Sequence, residues 1–154
     1  MALTLIPQDS SDLLAEVYND LGLAYFKLAD LETAMSDFKL AVRLNNKNDR
    51  AYFNLGCTCV RNGNNFAAIN NFTQVIQLNP KSANAYVNRG VAYHRLGYES
   101  AAIANLRKAA SLFDNSDERL AYQQTFNLLK AIQQQIISQT TSRVETRGTS
   151  RLYF

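Results

Sequence analysis

Thirty-four residues separate two stretches built on one skeleton, AYFNLGCTCVRNG from Ala51 and AYVNRGVAYHRLG from Ala85. Laid out at that period, the chain aligns Tyr18, Tyr52 and Tyr86, then Leu21, Leu55 and Arg89, then Gly22, Gly56 and Gly90, then Tyr25, Cys59 and Tyr93. Farther on come Ala34, Ala68 and Ala102, then Phe38, Phe72 and Leu106, then Ala41, Val75 and Ala109. A unit this short cannot bury an apolar face alone, so a sustained period of this length predicts units stacked side by side.

The spacings inside the unit predict two helices. Tyr18, Leu21, Gly22 and Tyr25 follow one another by 3, 1 and 3 residues and share a helical face; Ala34, Phe38 and Ala41, by 4 and 3, share another. These faces are expected to close on each other as a hairpin, with glycine and alanine where the axes approach. Gly63 and Gly97 stand where a helix C-terminus turns left-handed, and Asn79-Pro80 stops a helix. Helices are predicted at 12–28, 31–44, 49–62, 65–78, 83–96 and 99–113, with a seventh from about Ser116 to Gln139. The seventh carries Tyr122, Phe126, Leu129, Ile132 and Ile136 at steps of 3 and 4, the stripe expected of a helix that caps the last unit.

These columns resemble the tetratricopeptide repeat, W-x2-L-G-x2-Y, then A-x3-F, then P, over about Ala15 to Ser116. The departures are local: Tyr for Trp throughout, Arg89 for Leu, Cys59 for Tyr, Leu106 for Phe, Val75 for Ala, and Asn46 and Asp114 for Pro. Arg89 is the one expected to need a partner, because a charged head stands in a packing column. The resemblance implies an all-α fold, a right-handed α-solenoid of three helix-turn-helix repeats with a C-terminal capping helix. Its parts are an N-terminal extension (1–11), a repeat domain (12–139) with repeats near 15–48, 49–82 and 83–116, and a basic Ser/Thr-rich tail (140–154).

Composition narrows the chemistry. The 154 residues are 47% hydrophobic, enough for one core, and carry a formal charge of +3. Arg143, Arg147 and Arg151 against Glu145 place a net +2 in the last seventeen residues, so overall charge does not point to nucleic acid. No apolar run is long enough to cross a bilayer and no signal-like start is present, which makes the cytoplasm the expected compartment. Cys57 and Cys59 lie two residues apart, on nearly opposite sides of a helix, and are expected to pack without pairing or sharing a metal. One histidine, His94, and no glycine-rich phosphate loop leave no catalytic constellation; no enzyme activity, metal or cofactor is expected. The acidic pairs Asp30 with Glu32 and Asp117 with Glu118 are read as helix-start charges.

The variable residues of each first helix lie opposite the packing columns, and the resemblance implies that they line a concave groove. Its expected floor is Leu23, Phe26, Phe53, Cys57, Val60, Val87 and Val91, with Asn19, Asn54, Asn84, Asn88 and His94 among them. Lys27, Arg61 and Arg95 form a basic row, and Arg50 adds a cation. Such a groove suits a peptide segment of a partner protein, whose backbone the asparagines would serve and whose acidic groups the row would favour; the competing reading of the row is complementation of helix dipoles. Family members that clamp the acidic ends of Hsp70 and Hsp90 use Lys, Asn, Asn, Lys and Arg where this chain has Asn19, Leu23, Asn54, Asn84 and Asn88. Only Asn54 conforms, which implies a different, more apolar ligand. The reading is a non-catalytic adaptor or assembly scaffold. Its alternatives are a self-assembling module that uses the cap and tail, making a homo-oligomer, and nucleic-acid binding through Arg50, Arg61, Arg95 and the tail. The tail itself lacks an apolar stripe and is expected to be flexible, with Leu152-Tyr153-Phe154 a candidate docking end.

Overall fold

A computed structural model describes residues 7–149 of the chain, with side chains through Val144. Those residues form seven helices: α1 Gln8–Lys27, α2 Leu31–Leu44, α3 Asp49–Arg61, α4 Asn65–Leu78, α5 Ala83–Arg95, α6 Glu99–Asn115 and α7 Arg119–Thr149. Three antiparallel hairpins, α1–α2, α3–α4 and α5–α6, stack in order, and α7 closes the last one. Among the described residues no helix is long and apolar enough to cross a membrane.

The connections follow from their residues. Asp30, Asn48 and Asn64 cap the helices that follow, accepting from Thr33 N–H at 3.1 Å, Ala51 N–H at 3.0 Å and Ala67 N–H at 3.1 Å. Gly63 and Gly97 take φ of 79° and 80° in the hairpin turns, and Ala29 fills the matching place of the first turn at φ 64°.

Within each hairpin the glycine column lets an aromatic ring reach the facing helix. A Cβ added at Gly22 or Gly56 would stand 2.7 Å from the Phe38 or Phe72 ring, so no side chain fits there while the ring stays in place. Between hairpins, Leu55 and Cys59 join Ala34 and Phe38 of the preceding unit in one buried cluster. The leucine and second tyrosine columns therefore share a core with the repeat before them as well as with Ala68 and Phe72 of their own hairpin. In α1 the same columns, Leu21 and Tyr25, are exposed among the described residues.

Arg89 finds partners on both flanking helices. Its Nε donates to Asn105 Oδ1 at 2.8 Å, one terminal N–H donates to Thr73 Oγ1 at 3.0 Å, and its head lies over the Tyr86 ring. The substitution that breaks the leucine column thus ties α4, α5 and α6 together.

Two expectations change at the ends. The first helix starts at Gln8, inside the expected extension, and Ser11 is buried with its hydroxyl donating to the Leu44 carbonyl at 2.9 Å. The segment 140–149, expected without regular structure, is the last part of α7. Ser138, Thr140, Thr141 and Ser142 each donate a hydroxyl hydrogen bond to the carbonyl four residues back, so hydroxyls that read as loop-forming are satisfied on the helix itself. Leu152-Tyr153-Phe154 lies outside the described residues. Helix α6 also runs two residues past its expected end, and α7 resumes the repeat at a step of 36: Tyr122 follows Tyr86, and Phe126 stands where the glycine column would continue after Gly90. Leu129 and Ile132 are buried against Leu106.

Candidate functional site

The inner residues of α1, α3 and α5 come together as the period requires, but not all remain open. Leu23, Phe26, Phe53, Cys57 and Val60 are half-buried, leaning on the central cluster while keeping one side uncovered; Val87 and Val91 are likewise half-buried. Phe53 meets Phe72 edge-on at 5.6 Å, which fixes the ring that forms the middle of the floor. Burial pushes the Cys57 thiol up to about 11, with Cys59 adding to the shift, so this sulfur is a packing group and not a nucleophile near neutral pH.

The polar residues are redistributed. Asn19, expected to face a ligand, is fully buried and accepts from Asn54 Nδ2 at 2.8 Å. The two amides join the first helices of neighbouring repeats, which removes Asn19 from the candidate surface. Arg50 is tied by ion pairs to Glu16 and, at 3.2 Å, to Asp20. Arg61 donates to the Phe26 carbonyl at 2.9 Å while its head covers the Phe26 ring, and Arg95 donates to the Val60 carbonyl at 3.3 Å. Each arginine thus reaches back 35 residues to the carboxyl end of the preceding first helix, where its charge complements the dipole. The basic row is a stacking device first, although each guanidinium keeps further N–H groups. Lys27 stands in the same column and is exposed. His94 Nδ1 lies 2.8 Å from Glu99 Oε2, so the single imidazole is held by α6.

What stays open lies farther along the stack. Asn88 Nδ2 donates to the Asn84 carbonyl at 2.8 Å, while the exposed Asn84 side chain makes no hydrogen bond among the described residues. Asn84 separates two hollows. One, of about 220 Å³, lies between α3 and α5 against Arg50, Phe53 and Ser82; the other, of about 160 Å³, lies between α5 and α7 against Val87, Gln124 and Leu128. The contribution of α7 was not legible in the sequence, because the step of 36 moves its inner residues out of the 34-residue columns. A larger hollow of about 570 Å³ lies against Tyr93, Tyr98 and Glu99 at the α5–α6 turn and touches none of these inner residues. No group of His, Cys, Asp and Glu among the described residues could hold a metal ion.

Models of the tetratricopeptide repeat match residues 15–48 and 83–116, and a TPR repeat model matches residues 58–97. The chain belongs to the tetratricopeptide repeat family. A search of curated proteins gives no match. Among solved structures, the MamA crystal structure is similar at 28% identity and a TM-score of 0.64, covering 68% of this chain and 57% of that one. This chain therefore spans little more than half of the MamA chain. The first tetratricopeptide repeat domain of Spaghetti (RPAP3), solved with the HSP90 peptide SRMEEVD, is similar at 21% identity and a TM-score of 0.73, covering 82% of this chain and 95% of that one. The TPR2B domain of yeast Sti1, solved with an Hsp70 peptide, gives 19% identity and a TM-score of 0.76, covering 80% and 98%. At the identities of these two domains the likeness is one of fold. Tetratricopeptide repeats generally serve as non-catalytic protein-interaction modules.

Proposed function

We propose that this tetratricopeptide repeat protein is an adaptor that takes an extended, largely apolar peptide of a partner protein along the inner edge of α3, α5 and α7. One observation carries the reading: the two hollows on either side of Asn84 are each walled by an apolar side chain, Phe53 in one and Val87 with Leu128 in the other. A strand-like peptide places alternate side chains on one face, so two apolar residues at i and i+2 can enter the two hollows while the Asn84 amide meets the backbone between them. Domains of the same fold solved with HSP90 and Hsp70 peptides support a peptide ligand in general. The residues here do not support a clamp for two carboxylates, since Asn84 and Asn88 replace its cations and Asn19 is buried.

Nucleic-acid binding is the weaker reading. Arg50 is neutralised by two carboxylates, and Arg61 and Arg95 are bonded to carbonyls, so a continuous phosphate-binding row is missing from this face.

A random displayed-peptide library selected on the native chain provides the test, with the selected peptides measured by fluorescence anisotropy. Substituting Asn84→Ala and, separately, Val87→Glu is expected to weaken them about tenfold or more, ~1.4 kcal/mol, with the helical circular dichroism unchanged. Selected peptides that bind both variants as tightly as the native chain would place the contact elsewhere and end the proposal.

A further inference from the structure

The two ends of the stack are not alike. Ala51, Leu55 and Cys59 of the second repeat are 0%, 5% and 4% exposed because the preceding hairpin covers them; the same columns in α1, Val17, Leu21 and Tyr25, are 47%, 44% and 36% exposed. Leu13 and Leu28 extend this stripe at 69% and 76% exposed. The first helix thus presents a repeat-to-repeat face that no helix among the described residues covers.

At the other end, α7 outruns its support. Its 31 residues span about 46 Å, against about 26 Å for the 17 residues of α6. Ile136 is its last half-buried residue among those whose side chains are described, and residues 137–144 are exposed throughout, with Ile137 and Val144 on one side, seven residues apart. An exposed helical end, with β-branched Thr140, Thr141 and Val144 in it, is marginal in water and gains from a surface to lie on. The charges also match in sign: with Glu16 and Asp20 held by Arg50, α1 keeps Asp9 and Asp12 against Lys27, 1 − 2 = −1, whereas residues 137–149 of α7 hold Arg143 and Arg147 against Glu145, 2 − 1 = +1.

We propose that the projecting end of α7 from one copy docks on the open α1 face of a second copy, with Ile137 and Val144 against Val17 and Leu21, joining chains head to tail. The contact is heterologous, so each added copy still offers one free face of each kind. It is independent of the peptide groove, which uses α3, α5 and the inner side of α7.

Sedimentation velocity at rising protein concentration tests this with two variants, Leu21→Glu and the double variant Ile137→Glu, Val144→Glu, all at exposed positions. The native chain is expected to grow in mass with concentration, less so at high salt, and each variant alone to stay monomeric. An equal mixture of the two is expected to form a one-to-one dimer, because each retains the face the other has lost. A native chain monomeric at every concentration, a mixture that stays monomeric, or a double variant that still self-associates through α1 alone would each overturn the proposal.

Discussion

The glycine column shows what a single residue can decide in this fold. Gly56 faces a wholly buried Phe72 ring with no room for a methyl group, whereas at Gly90 the facing side chain is Leu106 and the closest atoms stand 3.2 Å from an added Cβ. Alanine gains about 1 kcal/mol over glycine in a helix interior, and overpacking a closed core costs about 1–3 kcal/mol. Gly56→Ala is therefore expected to lose about 1 kcal/mol in urea unfolding, and Gly90→Ala to be close to neutral; the opposite order would mean that the Phe72 ring can move aside. The sequence shows this column openly, because it repeats. It hides Asn19, whose burial depends on Asn54, 35 residues away on the next repeat, and it hides the partners of Arg50 for the same reason. A period reveals which positions are equivalent but not which side chains meet across the seam.

At the scale of the elements, the turns differ in one residue of consequence. Ala29 adopts the left-handed conformation that Gly63 and Gly97 adopt in the later hairpins. An L-residue there carries about 1–2 kcal/mol of strain, while glycine adds about 0.4–1 kcal/mol of unfolded-chain freedom. Ala29→Gly should therefore be neutral to stabilising by up to about 1 kcal/mol, and Gly63→Ala destabilising by about 1 kcal/mol, both read from urea midpoints. Element boundaries were legible wherever the repeat was regular: 31–44 and 65–78 are the limits of α2 and α4. They failed at the ends of α6 and α7, where the period lengthens to 36 and Ser/Thr hydroxyls hold the last turns of α7 beyond the apolar stripe that announces its first part.

For the whole molecule, the uneven coverage of the ends sets where the chain opens first. In dilute solution trypsin is expected to cut after Arg143 before Arg61 or Arg89, because residues 137–144 of α7 are exposed throughout; mass spectrometry of early fragments reads the order, and early cleavage after Arg89 would contradict it. Arg89 is held between α4 and α6, so its peptide bond opens only with that packing. Phe126 carries a last implication. A ring now fills the slot that elsewhere admits a facing helix, so an engineer splicing in a fourth hairpin downstream would have to shave that ring to glycine and excise the two surplus residues ahead of it. Ahead of α1 the open columns Val17, Leu21 and Tyr25 keep the 34-residue step, so a hairpin joined there would meet a repeat-like face without that surgery.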